Sequence, residues 1–470
     1  MLVERLVPNG TLMRTLFVRG RAGGESARTH VSGMGEFGEH LHAAGRRDNG
    51  VSDNGARRRP GSRRILVHDH CGHPFQLQLS RELARRGYDV LHLYCGSFVT
   101  GKGAVDDADE ERLRIEALTL PNEFAKYSPW MRLRQEREYG LKLRARARSF
   151  SPDIVLSANT PLLVQKHLLA EARRLGSRFV FWQQDALGIG IKRVLERRYG
   201  RLGTVAGNRF VKFERSLLLK SDAVVVISDG FLPALEELGV PSEKTYVVEN
   251  WAPIDELPAR ARDNGWSHNQ HLVDRRVVLY SGTLGLKHDP EVIVQLAVAL
   301  RDQHDVEVVV VSEGRGEEWL RRRREEEGLT NLRLLPFQPY ADLPDVLGSA
   351  DVLLALLEAD AGAFSVPSKV LSYLCAGRPL LAAIPSDNLA AHVIRRSGAG
   401  FVVEPGDREA LIADVVRVLN DPALREELGS RARQYAEENF DIGVVADRFE
   451  PILDPHARVD YREIADTKAR

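Results

Sequence analysis

The chain has 470 residues, 43% of them hydrophobic and 28% charged, and its 66 Lys and Arg residues balance 66 Asp and Glu residues. This length is too great for one ordinary core and predicts two domains. The balanced charge excludes a protein that holds polyanions through its overall charge.

Residues 1–62 differ in composition from the rest of the chain. From Gly20 onward they are dominated by Gly, Arg, Asn, Ser and His, and their hydrophobic periodicity is weak. Such a composition is typical of a disordered leader that carries no chemistry. A misplaced start codon, with translation beginning further in, explains the same composition equally well.

Residues 63–250 carry short apolar, β-branched runs that alternate with helical segments. Continuous apolar strands separated by helices indicate a parallel sheet that is covered on both faces. This part of the chain is therefore predicted to be a Rossmann-like α/β domain. The predicted strands are 65–68, 90–94, 154–157, 179–182 and 223–227, and the predicted helices include 75–86 and 162–175.

A polar stretch at 251–276 interrupts this pattern and predicts an interdomain linker. A second series of strands and helices over 277–430 then predicts a second Rossmann-like domain. Two such domains enclose a cleft at the carboxyl ends of their strands, where both can face one pair of substrates. The predicted strands are 277–280, 306–311, 332–335, 352–355, 380–382 and 400–403.

The end of the chain is predicted to be helical. Helices are expected after Arg408 and after Pro422, followed by a last amphipathic helix from about Arg431 to Asn439 and on past Asp441. This last segment, 431–455, is expected to return to the N-terminal domain. Residues 456–470 are expected to form a tail.

One stretch of the second series predicts a phosphate-binding helix start. Pro367-Ser368-Lys369 opens a short apolar helix, which closes on Gly377-Arg378-Pro379 before a new strand. Ser368 suits the N-cap position, where its hydroxyl would accept a hydrogen bond from the first helical turn. Free N–H groups and the positive end of the helix dipole favour an anion there. The chain is therefore expected to hold a phosphorylated ligand.

These motifs, together with the glycine-rich loop 282–288 and the runs 221–228, 239–241 and 247–250, resemble those of family-4 glycosyltransferases of the GT-B fold. The pattern is most similar to the bacterial exopolysaccharide and O-antigen type with a Pro-Ser-Lys loop, and it covers roughly residues 64–455. The resemblance implies two tandem Rossmann-like domains facing a central cleft, with the acceptor on the N-terminal side and a nucleotide sugar on the C-terminal side. It also implies catalysis without a metal or other cofactor, because protein cations and helix ends replace Mg²⁺.

The resemblance assigns donor-binding roles to loops of the C-terminal domain. Lys287 would act in catalysis by meeting the donor diphosphate, since a fixed cation stabilises the charge that gathers on the leaving group. The alternatives are a solvated loop lysine at Lys287, a buried core aromatic at Phe337 and a merely capped helix at Ser368 and Lys369. The expected donor-binding residues are Gly282, Thr283, Glu313, Gly314, Phe337, Ser368, Lys369 and Ser372.

Several positions depart from the family pattern. Thr283 stands where many relatives have an arginine, so Arg315 or Lys369 would have to supply that cation. Phe364 and Ser372 stand where many relatives have two glutamates, and a serine cannot give a ribose hydroxyl the charge-assisted hydrogen bond of a carboxylate. The residues that could substitute are Glu313, Glu358 and Asp360.

In the N-terminal domain, Gly72 and His73 follow the first predicted strand. Gly72 would let the backbone approach a sugar or phosphate. Asp185 follows another strand, where relatives often have His-Asp, and here Gln184 takes the histidine position. The resemblance therefore implies catalytic roles for His73 and Asp185 and acceptor-side positions for Gly72 and His70, against the alternative of purely structural loop residues.

Metal ligation, disulfides and membrane crossing are not expected. No Asp-x-Asp element stands at a strand end, and the acidic run 106–111 is interpreted as a solvated surface loop. Cys71, Cys95 and Cys375 are odd in number and scattered, which predicts reduced thiols in a cytosolic protein. No apolar run approaches the roughly 18 residues that span a bilayer, and nothing near Met1 resembles a cleaved secretory leader.

Two basic stretches of the N-terminal domain suggest contact with an anionic membrane surface. In the second, Ile191, Val194, Leu195, Tyr199 and Leu202 fall near helical spacing and would form an apolar stripe beside positive charge. A solvated helix packed on its own sheet is an equally good interpretation. Nucleic acid is not an expected partner, because no recognised fold or interleaved aromatic pattern accompanies the charges. The basic residues are Arg132, Arg134, Arg137, Lys142, Arg144, Arg146 and Arg148, then Lys192, Arg193, Arg197, Arg198, Arg201, Arg209, Lys212, Arg215 and Lys220.

The function expected from this resemblance is that of a retaining glycosyltransferase. It would move a sugar from a nucleoside-diphosphate sugar, of the UDP or GDP type, to a lipid-carrier-linked glycan in surface polysaccharide biosynthesis. The expected location is the cytoplasm, with or without attachment to the inner face of the plasma membrane. Two alternatives stay open, a non-catalytic nucleotide-sugar-binding partner of a glycan assembly complex and a GT-B nucleotide-sugar epimerase.

Overall fold

The computed structural model describes residues 62–97, 111–122, 124, 129–285, 288–359 and 368–455, with only the backbone at Pro129 and Arg315. The predicted tail lies outside these ranges, as does the predicted leader apart from Ser62. The same holds for most of the acidic run 106–111. Four residues singled out in the sequence also lie outside, namely Lys287, Asp360, Phe364 and Pro367.

The N-terminal lobe is built on a parallel sheet. Its strands are β1 (Arg64–Asp69), β2 (Asp89–Cys95), β3 (Leu113–Leu118), β4 (Ile154–Ala158), β5 (Arg178–Gln183), β6 (Ala223–Val226) and β7 (Thr245–Val247). Its helices are α1 (Pro74–Arg85), α2 (Pro129–Phe150), α3 (Leu162–Leu175), α4 (Leu187–Lys220) and α5 (Leu232–Glu237). The strand order is β3-β2-β1-β4-β5-β6-β7, and paired strands run parallel.

The C-terminal lobe repeats this architecture. Its strands are β8 (Arg276–Ser281), β9 (Val306–Val311), β10 (Leu332–Leu335), β11 (Val352–Leu356), β12 (Leu380–Ala383) and β13 (Gly400–Val403), in the order β10-β9-β8-β11-β12-β13 and again parallel. Helix α6 (Gly265–Asn269) lies within the predicted linker. The later helices are α7 (Glu291–Leu300), α8 (Arg315–Glu326), α9 (Leu343–Gly348), α10 (Lys369–Ala376), α11 (Leu389–Ser397), α12 (Arg408–Asn420), α13 (Pro422–Asn439) and α14 (Ile442–Leu453).

In both sheets the first strand lies inside the sheet and the strand order reverses beside it. Leu66 of β1 lies opposite Leu91 of β2 on one side and Val155 of β4 on the other. The same reversal falls between β8 and β11. Ligands of open α/β sheets bind in the crevice outside the carboxyl ends of the strands at such a reversal. This rule directs attention to the residues that follow β1 and β8.

Helix α4 turns back on itself at Gly200, which has the non-helical angles φ 53° and ψ −132°. A Cβ added at Gly203 would lie 1.9 Å from the carbonyl oxygen of Leu195, so glycine lets the two arms approach backbone to backbone. The predicted single apolar stripe is therefore wrong. Leu202 lies beyond the turn and is 71% exposed, whereas Ile191 lies on the first arm and is half-buried.

The predicted start of a last helix at Arg431 is also wrong, because α13 begins at Pro422 and runs unbroken to Asn439. Asp441 then caps a separate helix, accepting a hydrogen bond from Val444 N–H at 3.0 Å. This last helix, α14, packs against α1 of the N-terminal lobe.

The contact between α14 and α1 combines an ionic cluster with aromatic packing. Arg86 Nη1 donates to Asp447 at 2.7 Å and to Glu450 at 2.8 Å. Phe449 reaches the core of the N-terminal lobe, with its ring centre 4.8 Å from that of Trp182 on β5. The N-terminal lobe is thus completed by the end of the chain.

Within the part of the chain that the structure describes, no helix is both long enough and apolar enough to cross a membrane.

Candidate active site

The carboxyl end of β8 and the start of α10 meet at a lysine. Lys369, the first residue of α10, has its Nζ 3.8 Å from the centre of the Tyr280 ring and donates a hydrogen bond to the Tyr280 hydroxyl. That hydroxyl donates to the Thr283 carbonyl at 3.0 Å. Gly282 has a φ of 129°, and a Cβ there would lie 3.3 Å from Lys369 Cε. The lysine therefore lies over residues 282–285, which we call the glycine loop.

A second tyrosine fixes α10 to β8. The Tyr373 hydroxyl accepts a hydrogen bond from Ser281 N–H at 2.9 Å and donates to the Ser281 carbonyl at 3.0 Å. Burial raises the pKa of Tyr373, so the phenol stays protonated at neutral pH. Ser372 precedes it on α10 and is half-buried. The first turns of α10 are thus held at a defined position against the glycine loop.

The predicted capping role of Ser368 is wrong. This residue already has helical backbone angles, φ −57° and ψ −22°, and its side chain makes no capping hydrogen bond to α10. A capping residue needs an extended backbone, so that its oxygen can reach the N–H groups of the first turn. The Ser368 hydroxyl therefore does not occupy those N–H groups.

The loops after β8, β9 and β10 are bonded to one another. Ser312 Oγ accepts a hydrogen bond from Leu284 N–H at 3.0 Å, and Glu313 accepts one from Phe337 N–H at 3.4 Å. Gly314 precedes α8 with a φ of 104°, a conformation that favours glycine. Phe337 is 44% exposed, so the alternative of a buried core aromatic is wrong. The structure therefore places the predicted donor-binding residues on neighbouring loops at one edge of the sheet.

The residues considered as replacements for the arginine and glutamates of the family pattern lie at different places in the C-terminal lobe. Glu313 lies in the loop after β9, Lys369 begins α10, and Glu358 follows the end of β11, which is the strand beside β8. The alternative cation Arg315 begins α8. Lys369 is therefore the predicted cation whose contacts with the glycine loop the structure describes.

In the N-terminal lobe, the loop after β1 is organised by Asp69. This fully buried carboxylate accepts hydrogen bonds from Cys71 N–H at 3.0 Å and from His73 N–H, and the His73 ring nitrogen Nδ1 lies 3.4 Å away. Burial alone would lower the pKa of His73, but the charge and hydrogen bond of Asp69, together with the charge of Asp185, leave it raised. Beside this carboxylate, Gly72 is buried and His73 is half-buried.

Asp185 faces the same loop from the end of β5. Its charge raises the pKa of both His73 and Cys71, which means that the two loops are close in space. Gln184 exchanges two hydrogen bonds with Asn250, at 3.1 and 2.6 Å. The structure therefore brings together Gly72, His73 and Asp185, while the amide in the expected histidine position is bonded to the end of the lobe.

Glu214 is a buried carboxylate that the sequence reading missed. It accepts a hydrogen bond from Gly188 N–H at 2.9 Å and another from the Gln183 amide at 3.3 Å, close to Asp185. Burial raises its pKa to about 7 against the opposing effect of these hydrogen bonds. Helical spacing in the sequence could have indicated that this glutamate is buried, because Glu214, Leu217 and Leu218 share one buried face of α4.

His70 is placed differently from its neighbours. It is 2% exposed and lies edge-on to two aromatic rings, with centre separations of 5.4 Å to Phe124 and 5.0 Å to Tyr139. Burial lowers its pKa well below the usual value, so it is neutral at physiological pH. The acceptor contact predicted for His70 stays a prediction, and the residue would have to make it from the interior of the lobe.

Three possible metal ligands occur in the loop after β1. Suitable atoms of Asp69, Cys71 and His73 lie within 4.8 Å of one another. Both Asp69 oxygens already accept hydrogen bonds from N–H groups of this loop. Burial raises the pKa of the Cys71 thiol, and the nearby carboxylates add to the effect. The arrangement is therefore accounted for by a hydrogen-bonded turn around Asp69.

The two basic stretches differ in how their charge is used. On α2, several arginines are held by acids, since Arg144 and Arg148 converge with Arg174 on the buried Glu171. The α4 hairpin carries nine Lys and Arg residues but only two Glu residues. Large apolar side chains on both helices are exposed, namely Trp130, Met131, Leu133, Leu141, Leu202, Val205 and Phe210.

Comparisons with protein families agree with the division into two lobes. Residues 73–251 match the family model described as glycosyl transferase 4-like domain, and residues 266–435 match the one described as glycosyl transferases group 1. Together the two matches extend from the loop after β1 to α13. The predicted resemblance is thereby confirmed.

Individual relatives point in the same direction. The putative colanic acid biosynthesis glycosyl transferase WcaI of Escherichia coli (strain K12) is 29% identical over 303 residues, which are 63% of this chain and 72% of that protein. The probable glycosyltransferase WbjE of Pseudomonas aeruginosa is 22% identical over 318 residues, 67% of this chain and 78% of that protein.

Solved structures confirm the predicted fold. Anabaena HepE in complex with UDP-glucose matches with a TM-score of 0.63 at 16% identity, covering 83% of this chain and 99% of that one. WaaG, a glycosyltransferase involved in lipopolysaccharide biosynthesis, matches with a TM-score of 0.60 at 16% identity and the same coverage. At these identities the likeness concerns the arrangement of the two Rossmann-like lobes.

Proposed function

The chain belongs to the GT-B glycosyltransferases, and we propose that it transfers a sugar from a nucleoside-diphosphate sugar to a glycan on a lipid carrier, with retention of anomeric configuration. The observation that carries this proposal is the position of Lys369 over the glycine loop at the carboxyl end of β8. A cation in that place can meet a diphosphate at the crevice where such sheets bind ligands.

The printed names of relatives support the kind of product and donor. WcaI is named for colanic acid biosynthesis, which supports a role in making a surface polysaccharide. HepE is recorded with UDP-glucose and with UDP, which supports a uridine-type donor ahead of a guanosine-type one. The proposed reaction therefore starts from a UDP-sugar and ends with UDP and an extended glycan.

In the proposed reaction, the C-terminal lobe stabilises the leaving group. The diphosphate gains negative charge as the glycosidic bond breaks, so the Lys369 ammonium and the first turn of α10 hold it more tightly in the transition state than in the ground state. Lys287, in the same stretch of sequence as the glycine loop, is proposed as a second cation. No metal is required in this scheme, because these groups supply the positive charge.

The N-terminal lobe is proposed to present the acceptor. Gly72 carries no side chain that would keep a sugar from the backbone after β1, and His73 and Asp185 lie close together on the loops that follow β1 and β5. The departing phosphate oxygen takes the proton of the attacking hydroxyl on the same face of the donor sugar, which gives retention. The lobe then contributes by orienting the hydroxyl and excluding water when the cleft closes.

A lipid-linked acceptor requires access to a membrane surface, and we propose the α4 hairpin and α2 for this contact. Exposed apolar side chains next to clustered cations suit an anionic leaflet, where each cation near the surface adds roughly 1 kcal/mol. The exposed residues Leu202, Val205 and Phe210 lie on the second arm of the hairpin. Co-sedimentation with phosphatidylglycerol vesicles, and its absence with phosphatidylcholine vesicles, is the expected behaviour.

The central test measures donor binding and transfer together. Thermal unfolding is recorded for wild type, Lys287→Ala and Lys369→Met with UDP, GDP, dTDP and their sugars, with the exposed Lys166→Ala as the matched control. A ligand at about 100 times its dissociation constant should stabilise the native state by roughly 2.7 kcal/mol. We expect a shift with one nucleotide family that falls in both site variants and persists in the control.

Three other outcomes distinguish the alternatives. Binding without transfer to any lipid-linked glycan would support a non-catalytic partner, in keeping with Thr283, Gln184 and Ser372 at positions where relatives differ. Conversion of the free sugar nucleotide to an isomer without acceptor would support an epimerase. Absence of any nucleotide-dependent shift in the wild type would contradict all of these functions.

A further inference from the structure

We propose that Tyr280 is a positioning residue for the donor diphosphate, because its buried hydroxyl holds the Lys369 ammonium over the glycine loop. The inference rests on the proposed function, in which Lys369 meets the diphosphate of a nucleotide sugar. It adds a residue of β8 that would not itself touch the substrate but would act through the lysine.

The hydrogen bonds around Tyr280 fix the direction of the interaction. The phenol has one proton, which it donates to the Thr283 carbonyl at 3.0 Å. Its oxygen must therefore accept in its contact with Lys369, and the ammonium must donate. Since Tyr280 is 1% exposed, the hydroxyl in the middle of this chain is shielded from water, while Lys369 is half-buried and Thr283 is exposed. Hydrogen bonds of this kind reinforce one another in a medium of low dielectric constant.

The aromatic ring adds a second restraint on the lysine. Lys369 Nζ lies 3.8 Å from the centre of the Tyr280 ring, well within the distance at which a cation is attracted to a ring face. The Lys369 side chain also lies against Gly282, where a Cβ would be 3.5 Å from Nζ. Ring, hydroxyl and glycine backbone together define where the ammonium sits.

A fixed ammonium is what diphosphate binding needs. A lysine side chain loses considerable rotamer freedom when it binds a ligand, and holding it in place beforehand reduces that cost. An ammonium has three N–H donors, so it can keep its bond to Tyr280 while it donates to phosphate oxygens. The same chain of hydrogen bonds links Lys369 through Tyr280 to the Thr283 carbonyl of the glycine loop.

Tyr88 provides a control, because it is another buried tyrosine whose hydroxyl makes a hydrogen bond away from the glycine loop. It is 7% exposed, and its hydroxyl donates to Glu450 of α14 at 2.9 Å. This bond lies in the contact between α14 and the N-terminal lobe and does not involve Lys369 or α10. Removing the Tyr88 hydroxyl therefore tests the loss of a buried phenol oxygen without loss of the Lys369 contact.

The experiment compares a diphosphate with a monophosphate of the same base. Isothermal titration calorimetry with UDP and UMP, and in parallel with GDP and GMP, gives the diphosphate preference of the full-length protein. It is measured for wild type, Tyr280→Phe, Lys369→Met, the double variant and Tyr88→Phe. We expect Tyr280→Phe to lower the diphosphate preference about 10-fold, as for loss of a hydrogen bond to a charged group, with monophosphate affinity unchanged. Tyr88→Phe should keep the wild-type preference.

The double variant identifies the route of the effect. If Tyr280 acts through Lys369, Tyr280→Phe should add nothing to the loss already caused by Lys369→Met. A further loss in the double variant would overturn the inference, because Tyr280 would then act independently of the lysine. Should Tyr280→Phe fail to fold, Lys369→Arg keeps the charge but not the fitted position. A full diphosphate preference in that variant would also overturn the inference.

Failure of the inference and failure of the proposed function give different results. If Lys369→Met loses the preference while Tyr280→Phe retains it, the lysine meets the diphosphate and the positioning role of Tyr280 is wrong. If wild type shows no diphosphate preference, or Lys369→Met leaves it unchanged, the proposed donor site itself is wrong and the inference falls with it.

Discussion

The two lobes share one topology but differ in what their sheets contain. The interior strands of the C-terminal lobe are almost purely aliphatic, and β9 is fully buried with a single charged residue, Glu307. In the N-terminal lobe, buried histidines interrupt the strands. His68 on β1 bonds Thr160 at 2.9 Å and Tyr139 at 3.2 Å, and His92 on β2 bonds Ser80 at 2.8 Å. The same fold thus tolerates either an apolar or a hydrogen-bonded interior.

This difference shows that the topology of the sheet does not determine which side chains fill its interior. Alternating strands and helices are enough to build either sheet, since continuous apolar runs and satisfied polar groups can both be buried. The polar interior of the N-terminal lobe lies directly below the loop that holds Asp69 and His73. In the C-terminal lobe a polar cluster lies at the carboxyl end of β8, around Lys369 and Tyr280. We therefore expect the two lobes to respond to different perturbations.

The largest expected effect is on turnover, in variants that compare the donor site of one lobe with the acceptor site of the other. Lys369→Met should lower turnover by roughly 100- to 1000-fold, because the charge on the leaving diphosphate loses its fixed cation. His73→Gln should lower turnover while leaving the affinity for UDP unchanged. Transfer kinetics and UDP titrations on the same preparations measure both quantities.

The assignment of one lobe to each substrate would be contradicted by a His73→Gln variant that weakens UDP binding as much as Lys369→Met does. The exposed Lys166→Ala serves as the control, and it should match the wild type in both assays.

A smaller effect, on the stability of the N-terminal lobe, is expected when the pH is lowered. Burial lowers the pKa of His92 to about 4 and that of His68 to about 3, against about 6.5 in the unfolded chain. Each histidine thus contributes stability that is present above pH 6.5 and is lost as the pH falls toward the folded value. Between pH 7 and pH 5, the protonation of each histidine should lower the free energy of unfolding by about 2 kcal/mol. Hydrogen exchange at both pH values should show this loss in the N-terminal lobe.

A matched pair of variants checks the source of this acid sensitivity. His92→Gln can keep a hydrogen bond to Ser80 without titrating, and it should recover part of the loss. His304→Gln, at an exposed position of the C-terminal lobe, should change nothing. The pair of His73 and Asp69 acts in the opposite sense, because its contribution is lost as the pH rises through the raised pKa of His73. Equal loss of protection in both lobes would refute the comparison.

The smallest expected effect concerns the contact between α1 and α14. Arg86 bonds Glu82, Asp447 and Glu450 in a partly buried cluster, so Arg86→Met should cost about 1 kcal/mol and lower the unfolding temperature by about 2–4 °C. Differential scanning calorimetry measures the shift. Arg431→Met, which removes an exposed pair with Glu427, should have no measurable effect. If the two variants shift the temperature equally, the cluster contributes no more than a surface pair.

Most strands could be predicted because their apolar runs are continuous. The exceptions are β3 and β7, which lie at the two edges of the first sheet. An edge strand is only partly buried, and β3 carries Arg114 and Glu116 among its apolar residues, so its pattern is weak. The break of α4 at Gly200 was also missed, because one glycine within a helical pattern does not by itself indicate a reversal.

The candidate site was predicted where a motif marks it and missed where a residue acts through packing. Gly282 and Lys369 are far apart in sequence, yet both belong to recognisable loops, and the structure brings them into contact. Tyr280 looks like an ordinary core residue of a strand, since only the fold shows that its hydroxyl reaches Lys369. Asp69 was missed for a similar reason, because its partners are N–H groups of the following turn.

The return of α14 to the N-terminal lobe has a consequence for synthesis of the protein. Trp182 and Trp251 stack with 5.8 Å between ring centres, and Phe449 of α14 covers both. Phe75 of the N-terminal lobe also packs against both rings, but during translation the contact with Phe449 forms only after the whole second lobe has been made and α14 emerges behind it. The N-terminal lobe is therefore completed only after the C-terminal lobe has been made. A chain cut within the linker would leave the N-terminal lobe with an exposed apolar face.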